Sequence, residues 1–493
     1  MRFYSKRRKK KRVIVKPKAK CYKGGLSKRE NKKVREVDLT KGKLSSALIR
    51  FSAPIVLMNL FHALYGLADL FILGHFTQGS IGVSAVAIGF SAIFIFMLFI
   101  FGISTGATVM IGKAFGAKEL EELDKIVGTM MTVFSALGIL CGAALYLASP
   151  LIVKLMQSPL EVVDPATLYI RICAGSMFFI SLINMISAVL RGLGNSTTPL
   201  LYVGLSVSLN IVLDFVFVYF FGWGVTGVAI ATVISQFTGL VFALWYLRKH
   251  EFLFMFRLKD FCFCKDKAKE VFVLGIPISL QDVLINLSFL LIFALANKMG
   301  LASSAAYGIG QRLYGFTMLP AFSLGIALAA ITAQHIGARY IKRAKDALLL
   351  SIAYAYIFCG FFFFVQILFP EWVMALFTND MATIAAGKEY LLSSSWELWA
   401  IAPTLCMLNF FNGCGRTTFT MIVSISITFL IRVPAAIILT CPEEATLYDL
   451  GWSAVIACTI ETIVFLIALK SEFWRKESLR RPKVPAALPI VRS

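Results

Sequence analysis

Charge is what this sequence has least of. Asp, Glu, Lys and Arg make up only 15% of its 493 residues, against about one-quarter in soluble domains. No soluble core hides a chain that is 58% hydrophobic with a mean hydropathy of +0.78, so a water-soluble fold is excluded. Catalytic signatures are missing too. Four histidines (His62, His75, His250 and His335) are dispersed, and the chain holds no H-E-x-x-H, no G-x-G-x-x-G and no Walker pattern. An enzyme, or a pump driven directly by ATP, lacks its usual marks here; neither catalysis nor a cofactor is expected. Ten cysteines are scattered, most of them in apolar runs, where Cys behaves as a small hydrophobe. The one close pair, in FCFC (261–264), has no second Cys or His pair nearby and falls short of a metal site.

What the chain has instead is a series of long apolar runs. Near 20 residues span a bilayer as helix, and such runs fall at 46–73, 81–112, 126–149, 166–190, 199–221 and 224–247, then at 271–296, 303–334, 347–369, 387–412, 418–440 and 450–470. The expected fold class is therefore an all-α polytopic membrane protein with twelve transmembrane helices. A polar stretch, 248–270, divides them six and six. The expected organisation is a basic tail over 1–43, a first lobe over 44–247, a linker over 248–270, a second lobe over 271–470 and a basic tail over 471–493.

Net charge is +22, and residues 1–50 carry 20 Lys/Arg against 3 Asp/Glu. The run KRRKKKR (6–12) has no apolar segment close behind it, so it is not a secretory signal. It reads as a solvated, disordered tail or as an anchor to anionic lipid headgroups; nucleic-acid binding is not expected. The Lys/Arg of short loops fall on alternate sides. Lys113, Lys118, Lys125, Arg191, seven basic residues in 248–270, Arg339, Lys342, Arg343, Lys345 and Arg416 share one side, and the other has little beyond Lys154, Lys298 and Lys388. The positive-inside bias then predicts both termini in the cytosol of a plasma-membrane protein.

The halves also echo each other. FGAK (115–118) returns as IGAR (336–339), TLYIR (167–171) as KEYLL (388–392), and RGLGNSTT (191–198) as NGCGRTTF (412–419), each 221 residues later. Pro54 returns as Pro277 in the first span of each half. With both halves starting inside, these are parallel repeats about an axis along the membrane normal, an arrangement common among transporters that alternate access by rocking. The two prolines remove backbone hydrogen bonds early in spans 1 and 7 and are read as hinges.

Five acids lie within spans: Asp69, Asp214, Asp282, Glu397 and Glu461. A carboxylate at mid-span costs about 2.5–3.5 kcal/mol, so each needs a reason. Asp282 and Glu461 are read as structural or near the headgroups. Glu397, flanked by Trp396 and Trp399, fits either an interfacial belt or a cavity wall. Asp214 differs because Asn210 precedes it by four residues, on the same helical face. In the next span Thr232 sits among small residues that permit close approach. Asp69 in span 1 completes a set of oxygen donors suited to a hard cation such as Na⁺. The same two carboxylates, if close and poorly solvated, could instead share protons as a coupled pair; the residues leave Na⁺ and H⁺ open. At the 221 offset Asp214 becomes Ala435, and at the proline offset Asp69 becomes Ile292. The second half lacks this set, so the fold itself does not require it.

FSAPIVLMNLFHALYGLADLFILGHF (51–76), GKAFGAKE (112–119), LRGLGNSTTPL (190–200) and NIVLDFVFVYFFGWGVTGVAIATVISQ (210–236), with their C-terminal echoes, resemble the multidrug and toxic compound extrusion family from about residue 44 to 470. The resemblance implies two six-helix lobes opening as a V, and export of drug-like organic cations or amphiphiles in exchange for Na⁺ or H⁺. It places the family's cation site on Asp69, Asn210, Asp214 and Thr232. A glutamate that the NorM-like branch carries inside span 7 is replaced by Ile285, so the chain is more similar to the DinF-like branch. The expected partners are small-molecule cations or amphiphiles and membrane lipids, and a monomer is expected. The substrate cleft is assigned to Met185, Tyr307, Met318, Trp396, Glu397 and Met407. A flippase for a lipid-linked saccharide is the competing reading. It needs a strongly cationic cleft, and only Arg312 and Arg432 are clear intramembrane cations.

Overall fold

Lipid offers the backbone no hydrogen-bond partner, so every spanning segment must satisfy its own N–H and C=O groups, and helix is the result. The computed structural model describes residues 38–76, 80–156, 158–249, 262–442 and 444–478. Its first half runs α1 (Leu44–Phe76), α2 (Ser80–Gly116), α3 (Leu120–Leu155), α4 (Leu160–Ala174), α5 (Met177–Gly192), α6 (Thr197–Phe215) and α7 (Gly224–Lys249), with a wider π turn, Val216–Phe220, extending α6. The second half runs α8 (Lys265–Lys298), α9 (Leu301–Gly337), α10 (Ile341–Leu368), the short α11 (Pro370–Ala375), α12 (Met381–Ser394), α13 (Glu397–Cys414), α14 (Thr417–Ile427), a π turn Thr428–Arg432, α15 (Val433–Leu439), α16 (Leu447–Lys470) and α17 (Phe473–Ser478).

Among the described residues, ten helices are long and apolar enough to cross a membrane, and α4 with α5, meeting at 47°, supplies an eleventh. In the second half α12 and α13 break at the equivalent place, within the run 387–412 that the sequence reads as a span. At the first break the Cys173 carbonyl accepts both the Ser176 N–H (2.9 Å) and Ser176 Oγ (2.6 Å). At the second, Ser395 Oγ donates to Gln366 Oε1 at 2.8 Å. Several helices outrun the apolar runs. α3 begins at Leu120 and α8 at Lys265, because polar residues continue a helix once its N–H groups find partners. At α16 this is done by a capping box of Thr446 and Asp449.

The repeat seen in the sequence reappears in the backbone. Lys118 (φ 59°) and Arg339 (φ 62°) both adopt the left-handed conformation, as do Gly194 and Gly415 (φ 81° and 85°); each pair is 221 apart. The halves meet where α2 crosses α9 and α8, and the α2–α9 crossing is reciprocal. A Cβ on Gly116 would lie 2.1 Å from the Gln334 carbonyl oxygen, and one on Gly337 would lie 2.1 Å from the Lys113 carbonyl oxygen. Lys113 and Gln334 are themselves 221 apart, so the pseudo-twofold axis passes between these helices. Lys113 Nζ donates to the Cys414 carbonyl (2.9 Å) and Gln334 Nε2 to the Gly192 carbonyl (2.8 Å), tying each half to the other at this end.

The expected 1–43 tail and its KRRKKKR run lie outside the described residues as far as residue 37. Of the rest, Leu39 and Thr40 are buried while 41–43 are exposed; the Leu39 N–H donates to Gln334 Oε1, and Arg343 donates to the Gly42 carbonyl. In the linker, residues 250–261 are outside the described residues, and Cys262 and Cys264 dock on α3 through Thr132 and Thr129. In the C-terminal tail, 479–493 are outside the described residues. Its start is the short α17, anchored by buried Trp474 against Phe410.

Candidate functional site

The four residues expected to form a cation site come together. α6 packs against both α1 and α7, and the faces that meet carry Asp69, Asn210, Asp214 and Thr232. All are buried, with relative exposures of 1%, 0%, 0% and 6%. The Asp69 and Asp214 carboxyls lie within hydrogen-bonding reach of each other. Neither accepts a bond from a donor, and both amide atoms of Asn210 are likewise without a partner: six buried polar atoms are unsatisfied in one place. Buried polar groups are paired in the great majority of cases, so such a cluster needs an explanation. Four carboxylate oxygens and an amide oxygen are hard donors that fit Na⁺, and the facing carboxyls fit shared protons equally well. Among the described residues no group of three or more His, Cys, Asp and Glu is assembled as a metal site.

Thr232 occupies the rim of this cluster. Its hydroxyl proton goes to the Val228 carbonyl at 3.0 Å, which leaves Tyr65 to donate to Thr232 Oγ1 at 2.9 Å. Tyr65 was missed in the sequence reading. Its signal is its spacing, one helical turn before Asp69 on the same face of α1. The π turn Val216–Phe220 begins two residues after Asp214, and such turns recur at functional sites.

The second half holds other acids. Glu397 is the first residue of α13, directly after its break from α12, is 6% exposed and accepts from Tyr314 Oη at 3.4 Å. Of its two sequence readings, belt or cavity wall, burial supports the wall: it lines a cavity of about 20 Å³ with Tyr314, Thr317, Gln366 and Tyr390. Glu461 is at mid-helix in α16, where Ser424 Oγ donates to it at 2.5 Å. Asp282, read as structural or near the headgroups, falls at the midpoint of α8 and is half-buried. Arg432 ends the second π turn with its guanidinium 4.4 Å from the Phe289 ring centre.

The expected cleft residues are placed differently. Met185, Tyr307, Met318 and Met407 are 2%, 1%, 7% and 0% exposed, packed inside their halves rather than facing open space. Trp396 is exposed and packs edge-on against Phe363. A large apolar side chain in a span looks alike in sequence whether it faces cleft, core or lipid. Pro54 and Pro277 lie within continuous helices α1 and α8.

A helical bundle of two related halves, with helices broken at matching places and acids inside the membrane, is the build of a secondary transporter. Comparison with known proteins gives the family. The MatE family model matches twice, over residues 54–216 and 277–438, and the chain belongs to this multidrug and toxic compound extrusion family. It is 28% identical over 439 residues to the probable multidrug resistance protein YoeA of Bacillus subtilis, covering 87% of this chain and 94% of that protein. It is 25% identical over 450 residues to the probable multidrug resistance protein NorM of Thermotoga maritima, covering 89% and 95%. Among solved structures, the outward-facing conformation of a multidrug resistance MATE family transporter superposes with a TM-score of 0.84 at 24% identity, covering 90% of this chain and all of that one.

Proposed function

We propose that this protein is a multidrug efflux antiporter that exports organic cations and amphiphiles in exchange for Na⁺ or H⁺ held at Asp69, Asn210, Asp214 and Thr232. The observation that carries the reading is the cluster of six unsatisfied polar atoms in the first half, which a small cation would complete. The Lys/Arg bias of the loops supports a plasma-membrane protein with both termini cytosolic. A monomer is the working unit.

Coupling requires the ion to bind one facing state better than the other, since equal affinity shifts nothing. Closing ion-bound carboxyls into the bundle is cheaper than closing bare ones, which gives the ion that preference. One cation entering across 100 mV contributes about 2.3 kcal/mol, to which its concentration gradient adds. When a singly charged substrate leaves in exchange, the electrical part cancels and the ion gradient does the work. A flippase for lipid-linked pyrophosphate would need several cleft cations, and Arg432 already faces Phe289.

The test is efflux from proteoliposomes loaded with a fluorescent cationic drug under an imposed Na⁺ or pH gradient. Drug movement that follows one gradient supports antiport; movement indifferent to both refutes it.

A further inference from the structure

The chain leading into each half is held by the other half. Ahead of α1, Asp38 folds back on Thr40, its carboxylate accepting the Thr40 N–H at 3.1 Å, and the Lys41 N–H closes the turn on the Asp38 carbonyl at 3.2 Å. This turn delivers Leu39 into the core and its N–H to Gln334 Oε1 of α9 at 3.1 Å. Gly42, at φ 76°, a conformation glycine takes without strain, presents its carbonyl to Arg343 of α10, which donates at 2.9 Å. Both partners belong to the second half.

The proline offset carries Leu39 to Cys262, ahead of α8, and the 221 offset carries Arg343 back to Glu122 on α3. The reciprocal contacts are there. The Cys262 N–H donates to the Gly128 carbonyl at 3.4 Å, and its own carbonyl accepts from Thr132 Oγ1 at 3.0 Å. The Cys264 N–H donates to Thr129 Oγ1 at 3.2 Å, and Lys267, in the first turn of α8, pairs with Glu122 at 2.8 Å. Equivalent positions on α3 and α10 thus clasp opposite lead-ins, with opposite charge. LTKG (39–42) and CFCK (262–265) match at no position, because backbone groups make most of these bonds.

The crossed contacts lie at the end where α2 and α9 finish and α1 and α8 begin, where Lys113 and Gln334 also tie the halves. The loop charges favour the cytosol for that end. Apolar packing can roll as the halves move, but a directional hydrogen bond weakens steeply once its angle is lost. Each lead-in is covalently part of one half and bonded to the other, so the halves cannot swing apart here while both hold.

We propose that Asp38–Gly42 and Cys262–Lys267 are crossed straps that keep the cytosolic end closed, and that inward opening requires both to release. The existence of two facing states rests on the antiport reading; the straps set how often the protein visits the inward one.

The experiment measures the distance between spin labels on Lys249→Cys and Lys470→Cys in the full chain in nanodiscs, with its accessible native cysteines replaced by serine. These are exposed, equivalent positions in the last turns of α7 and α16. Arg343→Met removes a bond to one strap, and Lys267→Met a pair from the other. Each raises the ratio of long to short distance by about fivefold or more, the factor that one net hydrogen bond is worth. Together their effects multiply, as independent sites do. Arg343→Lys, which keeps a donor, restores the parent ratio. Glu371→Gln, which breaks an ion pair inside the second half, leaves it unchanged. Unchanged ratios in both strap variants, an equal response to Glu371→Gln, or no rescue by Arg343→Lys overturns the proposal. Straps that respond as expected in a protein whose loaded drug follows neither ion gradient sink the antiport reading alone.

Discussion

Asp214→Asn removes one of two adjoining buried carboxyls while keeping its shape. No donor reaches either carboxyl, so in ion-free buffer nothing offsets their burial. With about 2.5–3.5 kcal/mol for an acid at mid-span, and about 1–3 kcal/mol for an unpartnered amide, the ion-free variant should be more stable than the parent by about 1 kcal/mol. The coupling ion reverses the comparison. At 100 times its Kd it stabilises the parent by about 2.7 kcal/mol, and it has little to hold in the variant. The assay is thermal unfolding of the purified protein in choline and in Na⁺ buffer, each at acidic and alkaline pH. The parent's midpoint should rise with Na⁺ or with protons, whichever is the coupling ion. The variant's should start higher and stay flat. A variant that melts below the parent without ions, or that keeps the parent's ion response, would refute the idea that a cation neutralises these carboxyls.

Two further outcomes come from the seams of the molecule. Gly116→Ala and Gly337→Ala each place a methyl 2.1 Å from a carbonyl oxygen of the opposite half; overpacking of about 1–3 kcal/mol is expected for both, and similar midpoints for the two variants would bear out the pseudo-twofold crossing, whereas a cost confined to one would argue against it. At the C-terminal end, Lys345 (2.6 Å) and then Arg475 (3.1 Å) bond Glu472, which holds its carboxyl below the ordinary glutamate range. A depressed folded-state pKa contributes stability above the unfolded value of about 4.3 that is lost as pH falls through the folded value. Acidification through that window should therefore loosen α17, seen as protease cutting after Lys470 or Arg475; cutting that is independent of pH would contradict the role given to Glu472.

Much of this was legible without coordinates because lipid reduces the choices. A spanning run must be helical, must be near 20 residues and must account for each buried acid, so twelve spans, the 221-residue echo and the pairing of Asp69 with Asp214 all follow from local rules. Where polarity resumes, the same rules lose their grip. α8 begins at Lys265, six residues before the apolar run that hydropathy marks. Tyr65 carried a usable signal, one turn from Asp69, but an aromatic residue in a span has too many ordinary uses to stand out.

By itself, then, the sequence determined the helical class, the duplicated plan and the residues proposed for the ion site, since periodicity and burial cost are properties of a chain in lipid whatever its neighbours. Only the tertiary structure decided which side chains face open space. Met185, Tyr307, Met318 and Met407 are packed inward, and Glu397 lines a small cavity. In sequence these residues differ little from their neighbours; the crossing of α2 with α8 and α9 separates them, because contact between distant segments sets what each face meets.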